Sequence, residues 1–253
     1  MAAKQRVDLM LVERGLAASR ERARALILAG QVFAGDRRID KAGELLGSDS
    51  PLRVRGDDHP YVSRGGVKLA GALDAFQLVP SGIVAADFGA STGGFTDCLL
   101  SRGAARVYAI DVGYGQLADK LRRDPRVVVM ERVNARHLQA GALPELMDWI
   151  VIDASFIGLV KPLPAARALL RESGELIALI KPQFEVGKKA LGKRGVVRDE
   201  AARTQAITHV LAEAEALGFE LRAQADSVLA GPEGNREHFA WLRVLPGPAA
   251  GGG

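Results

Sequence analysis

The spacing of apolar positions changes character once along the chain, near residue 60. Before that point, Val7, Met10 and Leu11 recur at helical spacing in "RVDLMLVERGL", and Gly15 closes the segment. A second helix is predicted in "SRERARALILAG". Ser19 is a good N-cap, Ala23, Leu26 and Ile27 make an inward face, and Gly30 is a stop. "QVFAGDRRID" reads as a short strand with a Gly-Asp turn, and "PLRVRGDD" as another strand. From Ser63 on, strand-length apolar runs alternate with helical stretches. The pattern predicts a helix over 63–78, then strands over 83–88, 106–111, 126–130, 148–153 and 175–181 with helical stretches between them. A long helix over 199–218 precedes two last strands, 220–229 and 237–245. Such alternation implies a parallel, doubly wound α/β sheet. The short connection "AGPEGN" makes the last two strands a hairpin, so one of them runs antiparallel to the rest. The expected organisation is a small α+β module over 1–58, a linker over 59–62 in which Pro60 holds His59 extended, an α/β domain over 63–245, and a disordered Gly/Pro-rich tail over 246–253.

Composition narrows the class. With 253 residues, 48% of them apolar, the chain can build a large core. The single cysteine, Cys98, excludes an internal disulfide and suits a reducing, cytoplasmic setting. No apolar run approaches the length of a membrane span, and charges at Asp8 and Glu13 interrupt any signal-peptide block. The net charge of +4 is unevenly placed. Residues 1–56 hold eleven Lys and Arg against seven Asp and Glu, and the remainder is balanced. A basic module on a neutral body suggests a polyanionic partner, with a solvated basic face as the plainer reading.

One glycine-rich stretch, "DFGASTGGFTD" (87–97), sits between the strand "IVAADF" and the helix "FTDCLLSRG", where ligands of such sheets bind. It fits neither common phosphate loop. Gly89, Gly94 and Thr96 match a P-loop, but Phe95 stands where the lysine should be; against the dinucleotide fingerprint, Ser91 replaces the second glycine. Asp87 adds negative charge, wrong for a phosphate and right for a cation. Asp111 ends the next strand, 22 residues after Gly89, where a carboxylate can accept both ribose hydroxyls. A nucleoside with positive charge and no phosphate, S-adenosylmethionine, satisfies both observations. Four polar residues then stand out: Asp153 and Lys181 at the ends of successive predicted strands, side by side if those strands are neighbours, Lys68 in the helix before the sheet, and Glu237 at the start of the last strand. Taken singly, strand-end charges often only meet water. The four histidines lie far apart without ligand spacing, so no metal site is expected. The basic loop over 187–195, with Lys188 and Lys189, could close over RNA or stay solvated.

Two resemblances extend this reading. "RVDLMLVERGLAASRERARALILAGQVFAGDRRI" resembles the S4 RNA-binding domain over about residues 5–56. That likeness implies a grip on the phosphates of structured RNA, with Arg6, Arg20, Arg24, Arg37 and Arg38 as contacts. "DFGASTGGFTD", "AIDVGYGQL", "DASFI" and "IKPQFEVGK" resemble the TlyA-type ribosomal RNA 2′-O-methyltransferases, a family also labelled haemolysin, in which an S4 domain precedes an FtsJ-like methyltransferase domain. The resemblance implies a Rossmann-like class I fold with a seven-stranded, mostly parallel sheet whose last strand is antiparallel. It also implies a Lys-Asp-Lys-Glu tetrad filled here by Lys68, Asp153, Lys181 and Glu237. The implied cofactor residues are Asp87, Gly89, Ala90, Ser91, Gly93, Gly94, Phe95, Asp111, Asn134 and Asp153. Lys181 would take or steer the proton of a ribose 2′-hydroxyl, Asp153 and Glu237 would orient Lys181, and Lys68 would hold the hydroxyl. The implied partner is ribosomal RNA or a ribosomal subunit, not DNA or a membrane. The target would be a cytidine of 23S rRNA, with 16S rRNA second because longer members carry a helix after the last strand. Other classes stay open at this stage. A non-catalytic RNA-binding factor need not bind S-adenosylmethionine. A membrane-lytic protein needs an apolar span or amphipathic anchor, and a nicotinamide dehydrogenase is disfavoured by Ser91.

Overall fold

The computed structural model describes residues 4–17, 19–54, 59–155, 157–187, 191–192, 195–231 and 233–246. The chain divides into two compact units, residues 1–60 and 61–253. The first unit runs β1 (Lys4–Arg6), α1 (Val7–Glu13), α2 (Arg20–Leu28), β2 (Val32–Ala34), β3 (Arg37–Arg38), β4 (Leu45–Gly47) and β5 (Leu52–Val54). Ser19 caps α2 as expected, its side chain accepting from the Arg22 N–H. β2 pairs antiparallel with both β3 and β5. The pairing of β1 with β4 was not foreseen, because two three-residue strands offer no readable alternation. Val7, Leu11, Ala23, Leu26, Ile27, Val32 and Ile39 close a small core of their own.

The second unit contains α3 (Arg64–Phe76), β6 (Val84–Phe88), α4 (Gly94–Ser101), β7 (Arg106–Asp111), α5 (Asp119–Arg122), β8 (Val127–Glu131), β9 (Met147–Ile152), α6 (Leu163–Leu169), β10 (Leu170–Ile180), α7 (Pro182–Glu185), α8 (Glu200–Ala216), β11 (Phe219–Asp226) and β12 (His238–Val244). Seven strands form one sheet in the order β11-β12-β10-β9-β6-β7-β8. β12 runs antiparallel to both its neighbours, while β10, β9, β6, β7 and β8 are mutually parallel. The seven-stranded, mostly parallel sheet with an antiparallel last strand is therefore as the sequence implied. Two details differ. No α-helix joins β8 to β9; residues 132–146 form only a 3-10 turn at Ala135–His137, since Gly141 and Pro144 break any longer helix. Tyr61 and Val62, expected in the linker, pack against the core of the second unit, and the Val62 N–H donates to Asp97 at 2.7 Å. The expected tail lies outside the described residues, apart from Pro246.

The strands read with a period of two. Ala86, Phe88, Tyr108, Ile110, Ile150, Ile152, Leu176, Ala178 and Ile180 face α6 and α8. Ala85, Val107, Ala109, Trp149, Val151, Ile177, Leu179 and Phe239 face α3 and α4. The odd-numbered residues thus look toward α3 and α4. The next odd positions at the carboxyl ends are Asp87, Asp111, Asp153 and Lys181, and the odd position before β12 is Glu237. One periodicity puts five chemical groups on one face of the sheet, at one end of it.

Candidate active site

Sheet order lines these groups up. Ile180 is opposite His238, so Lys181 and Glu237 leave the sheet side by side. Ile152 is opposite both Ala178 and Phe88, so Asp153 follows between Lys181 and the glycine loop. The Asp153 N–H donates to the Phe88 carbonyl at 3.1 Å and ties the two strand ends together.

The tetrad is assembled as two ion pairs. Lys68 Nζ of α3 donates to Glu237 Oε2 at 2.5 Å, with side chains 9% and 1% exposed. Lys181 Nζ stands 2.5 Å from Asp153 Oδ1, outside hydrogen-bond alignment, and donates to Ser155 Oγ at 2.7 Å. The expectation that Glu237 orients Lys181 is therefore corrected: Glu237 holds Lys68, and Ser155 takes the second place on Lys181. Burying a charge is costly unless it is paired, and here each lysine has its own carboxylate. The loop that carries Ser155 is fixed by Glu185, whose Oε1 accepts from the Leu159 N–H at 2.6 Å; burial pushes the Glu185 carboxyl up. Neither Ser155 nor Glu185 was singled out in the sequence. A serine two residues after a strand-end aspartate gives no signal until its partner on the next strand is known.

The cofactor candidates divide in a similar way. Asp87 is fully buried. Thr96 donates to its Oδ2 from the backbone (2.9 Å) and the hydroxyl (2.7 Å), and its Oδ1 has no hydrogen-bond partner among the described residues. Asp111 Oδ2 accepts from the Ser91 N–H at 2.8 Å and Oδ1 from the Gly113 N–H at 2.7 Å. A small cleft is lined by Ala90, Ser91, Asp111, Gly113, Gln116 and Glu131, over a floor of Ala109 and Val129. Glu131 follows the parity of Asp111 opposite it and holds the Gly115 N–H at 2.9 Å. It was missed because its strand was ended at residue 130. Neither Asp87, which lies buried behind the loop, nor Asn134 is in this lining; the Asn134 side chain accepts from the Arg136 N–H and caps the 3-10 turn. The Phe95 side chain is core, 2% exposed and stacked on Phe239 with centroids 6.1 Å apart. The loop glycines answer to packing first. A Cβ on Gly89 would stand 2.8 Å from the Asp153 carbonyl, one on Gly93 would run into Leu121, and one on Gly94 into Ser63. Lys188 and Lys189 lie outside the described residues.

These residues fit S-adenosylmethionine. Burial pushes the Asp87 carboxyl up to about 7; the hydrogen bonds from Thr96 oppose the rise, and the charges of Asp153 and Asp111 add to it. An orphaned, buried carboxylate oxygen between two other acids calls for a cation. A cationic ligand stabilises the ionised form, so binding must expel the proton from whatever fraction of Asp87 still carries it. S-adenosylmethionine affinity is expected to rise with pH and to be roughly tenfold weaker at pH 6 than at pH 7.5, from one-proton linkage about a value near 7. Titration calorimetry over that range checks it, and Asp87→Asn should flatten the profile.

The comparisons identify the family. Residues 61–244 match the model of the FtsJ-like methyltransferase family. The chain is 47% identical, over 96% of its length and 91% of the relative's, to the 16S/23S rRNA (cytidine-2′-O)-methyltransferase TlyA of Mycobacterium tuberculosis. It is 37% identical to Hemolysin A of Brachyspira hyodysenteriae over 93% of this chain and 98% of that one. A solved Streptococcus thermophilus protein that also carries a hemolysin name superposes with a TM-score of 0.76 at 39% identity, covering 98% of this chain and 91% of that one. Among the described residues, no helix is long and apolar enough to cross a membrane. With the tetrad paired at one sheet end, the acidic cleft beside it and the family match across that whole unit, the chain belongs to the FtsJ-like methyltransferases.

Proposed function

We propose that the chain transfers a methyl group from S-adenosylmethionine to the 2′-hydroxyl of a cytidine in 23S rRNA, and that it works in the cytoplasm on ribosomal RNA or ribosomal subunits. The first unit acts as an S4-type RNA-binding domain over residues 1–58. The observation that carries this reading is the tetrad: two buried lysines, each held by its own carboxylate, beside a cleft suited to a cation. When bound, the cofactor supplies a methyl group activated by a sulfonium.

The chain's residues do the rest. Asp87 balances the positive charge, and Asp111 accepts the ribose hydroxyls. The reaction forms one O–C bond, breaks one C–S bond and releases one proton from the 2′-oxygen. Lys181, held by Asp153 and Ser155, receives or steers that proton. Lys68, held by Glu237, stabilises negative charge growing on the oxygen. Holding the acceptor oxygen in line with the methyl group and the sulfur supplies much of the acceleration. The name of the Mycobacterium tuberculosis relative supports the choice of cytidine and of ribosomal RNA.

The test is a map of 2′-O-methylated riboses in 23S and 16S rRNA from cells with and without the protein. A cytidine of 23S rRNA that loses its methyl group without the protein, and regains it with the purified enzyme, is the expected result. An unchanged map, or a methyl group found on a base, overturns the proposal.

A further inference from the structure

Asp8 is a fully buried carboxylate in the small, basic first unit, and three arginines converge on it. Arg6 binds it with a fork, Nε to Oδ1 at 3.0 Å and Nη2 to Oδ2 at 3.1 Å. From α2, Arg20 Nε reaches Oδ2 at 2.9 Å and Arg24 Nε reaches the same oxygen at 3.4 Å. Arg20 and Arg24 are four residues apart, on one helix face. Gly43 leaves room for Arg6, since a Cβ there would lie 3.2 Å from its guanidinium. The three side chains remain 40%, 47% and 56% exposed, whereas that of Asp8 is 0% exposed. Arg20 and Arg24 spend only their Nε–H on Asp8, and their Nη forks have no hydrogen-bond partner among the described residues.

The other two candidate arginines are built differently. Arg37 is paired with Glu44 at 2.5 Å and Arg38 with Asp40 at 2.7 Å. Each is a one-to-one surface pair that neutralises itself, and such pairs bring little net charge to a partner. The Asp8 cluster instead keeps two uncompensated positive charges.

We propose that Arg6, Arg20 and Arg24 form a single phosphate-binding site for the RNA backbone, that Asp8 is its positioning residue, and that Arg37 and Arg38 lie outside it. This rests on the RNA-binding reading of the first unit. A free arginine side chain loses rotamer freedom when a ligand fixes it. A shared carboxylate at the base of the cluster removes much of that loss in advance and keeps three like charges together. Hydrogen bonds from Arg6, acting against burial and aided by Arg20, hold the Asp8 carboxyl well below the usual carboxylate range, so it stays charged at any working pH. The Nη forks then face outward and match the paired oxygens of a phosphodiester.

The consequence runs against net charge. Asp8→Asn makes the protein more positive, yet it should weaken RNA binding. Full-length variants are titrated with deproteinised 23S rRNA at several salt concentrations. Asp8→Asn is expected to bind about tenfold more weakly than the parent. Arg20→Gln with Arg24→Gln should weaken binding at least as much and flatten the salt slope by between one and two. Arg37→Gln with Arg38→Gln should stay within about threefold of the parent. Arg20→Lys with Arg24→Lys keeps the charge but loses the forks, and should bind about tenfold more weakly with an unchanged slope. S-adenosylmethionine binding, which reports the second unit, should be unchanged in all of them.

If the Arg20→Gln with Arg24→Gln variant binds RNA like the parent, the arginine site is wrong; if the Arg37→Gln with Arg38→Gln variant also binds like the parent, the RNA-binding reading of this unit fails with it. If the former weakens but Asp8→Asn binds as well as or better than the parent, only the role of Asp8 fails. Should Asp8→Asn not fold, the lysine pair decides: parental affinity there overturns the proposal.

Discussion

Lys181→Ala is expected to lower methyl transfer by about a thousandfold while S-adenosylmethionine affinity stays within about threefold of the parent. The size follows from proton handling by a positioned side chain, which contributes roughly 10²- to 10⁴-fold. The separation of rate from affinity follows from the geometry. Lys181 contacts Asp153 and Ser155, whereas the cleft is built by the glycine loop, Asp111 and the turn after it. Lys181→Arg sharpens the test. Arginine keeps the positive charge beside Asp153 but does not give up a proton in a protein. If the amine moves a proton, the arginine variant should be nearly as inactive as the alanine variant. If arginine restores the parental single-turnover rate, the amine acts by charge alone and the proton-handling role is wrong.

Gly89→Ala is expected to abolish S-adenosylmethionine binding at millimolar concentration and to destabilise the protein by about 3 kcal/mol. Two costs add at this residue. Its φ of 86° lies where L side chains are strained, and the new methyl group would stand 2.8 Å from the Asp153 carbonyl, which is backbone and cannot swing aside. Relief requires moving the end of β6 away from the end of β9, and so moving Asp87 and Asp153 apart. Gly82 is the control. Its φ is 74°, but a Cβ there meets nothing within 4 Å. Gly82→Ala should cost only the backbone term, about 1 kcal/mol, with cofactor affinity intact. Thermal melts and calorimetry on the pair separate strain from collision. Equal losses in the two variants would mean that contact with Asp153 is unimportant.

The sequence made the sheet legible because its alternation is strong: 85, 107, 149 and 177 carry apolar residues facing one layer of helices, and 86, 108, 150 and 176 the other. The strand ends read from the sequence put Asp87, Asp111, Asp153 and Lys181 at the carboxyl edge of the sheet; that they share one face is seen in the structure. What stayed hidden depends on contacts between distant segments. Lys68 and Glu237 are 169 positions apart, and nothing local shows that they pair with each other and not with Lys181 and Asp153. Pattern and resemblance assign the loop glycines to the cofactor, whereas packing against Asp153, Leu121 and Ser63 already demands them. The stretch between β8 and β9 is expected to be helical from strand–helix alternation alone, but Gly141 and Pro144 break a helix there. In the first unit, the sequence shows Asp8 only as a charge near the N-terminus, since the guanidiniums that bury it come from the residue just before its helix and from the next helix.

The place of β12 has a consequence for how the enzyme matures. It follows every other strand of the sheet in sequence, yet it lies inside the sheet, between β10 and β11, and Glu237 stands at its threshold. During synthesis, α3 and the first five parallel strands emerge early, and Lys68 waits without its carboxylate until β12 has left the exit tunnel. A copy truncated before Glu237 lacks the carboxylate that pairs with Lys68 and the β12 residues Phe239, Ala240, Leu242 and Val244 that complete both faces of the core, so it has no finished reaction centre. The enzyme is thus silent until the ribosome has released the strand that completes it.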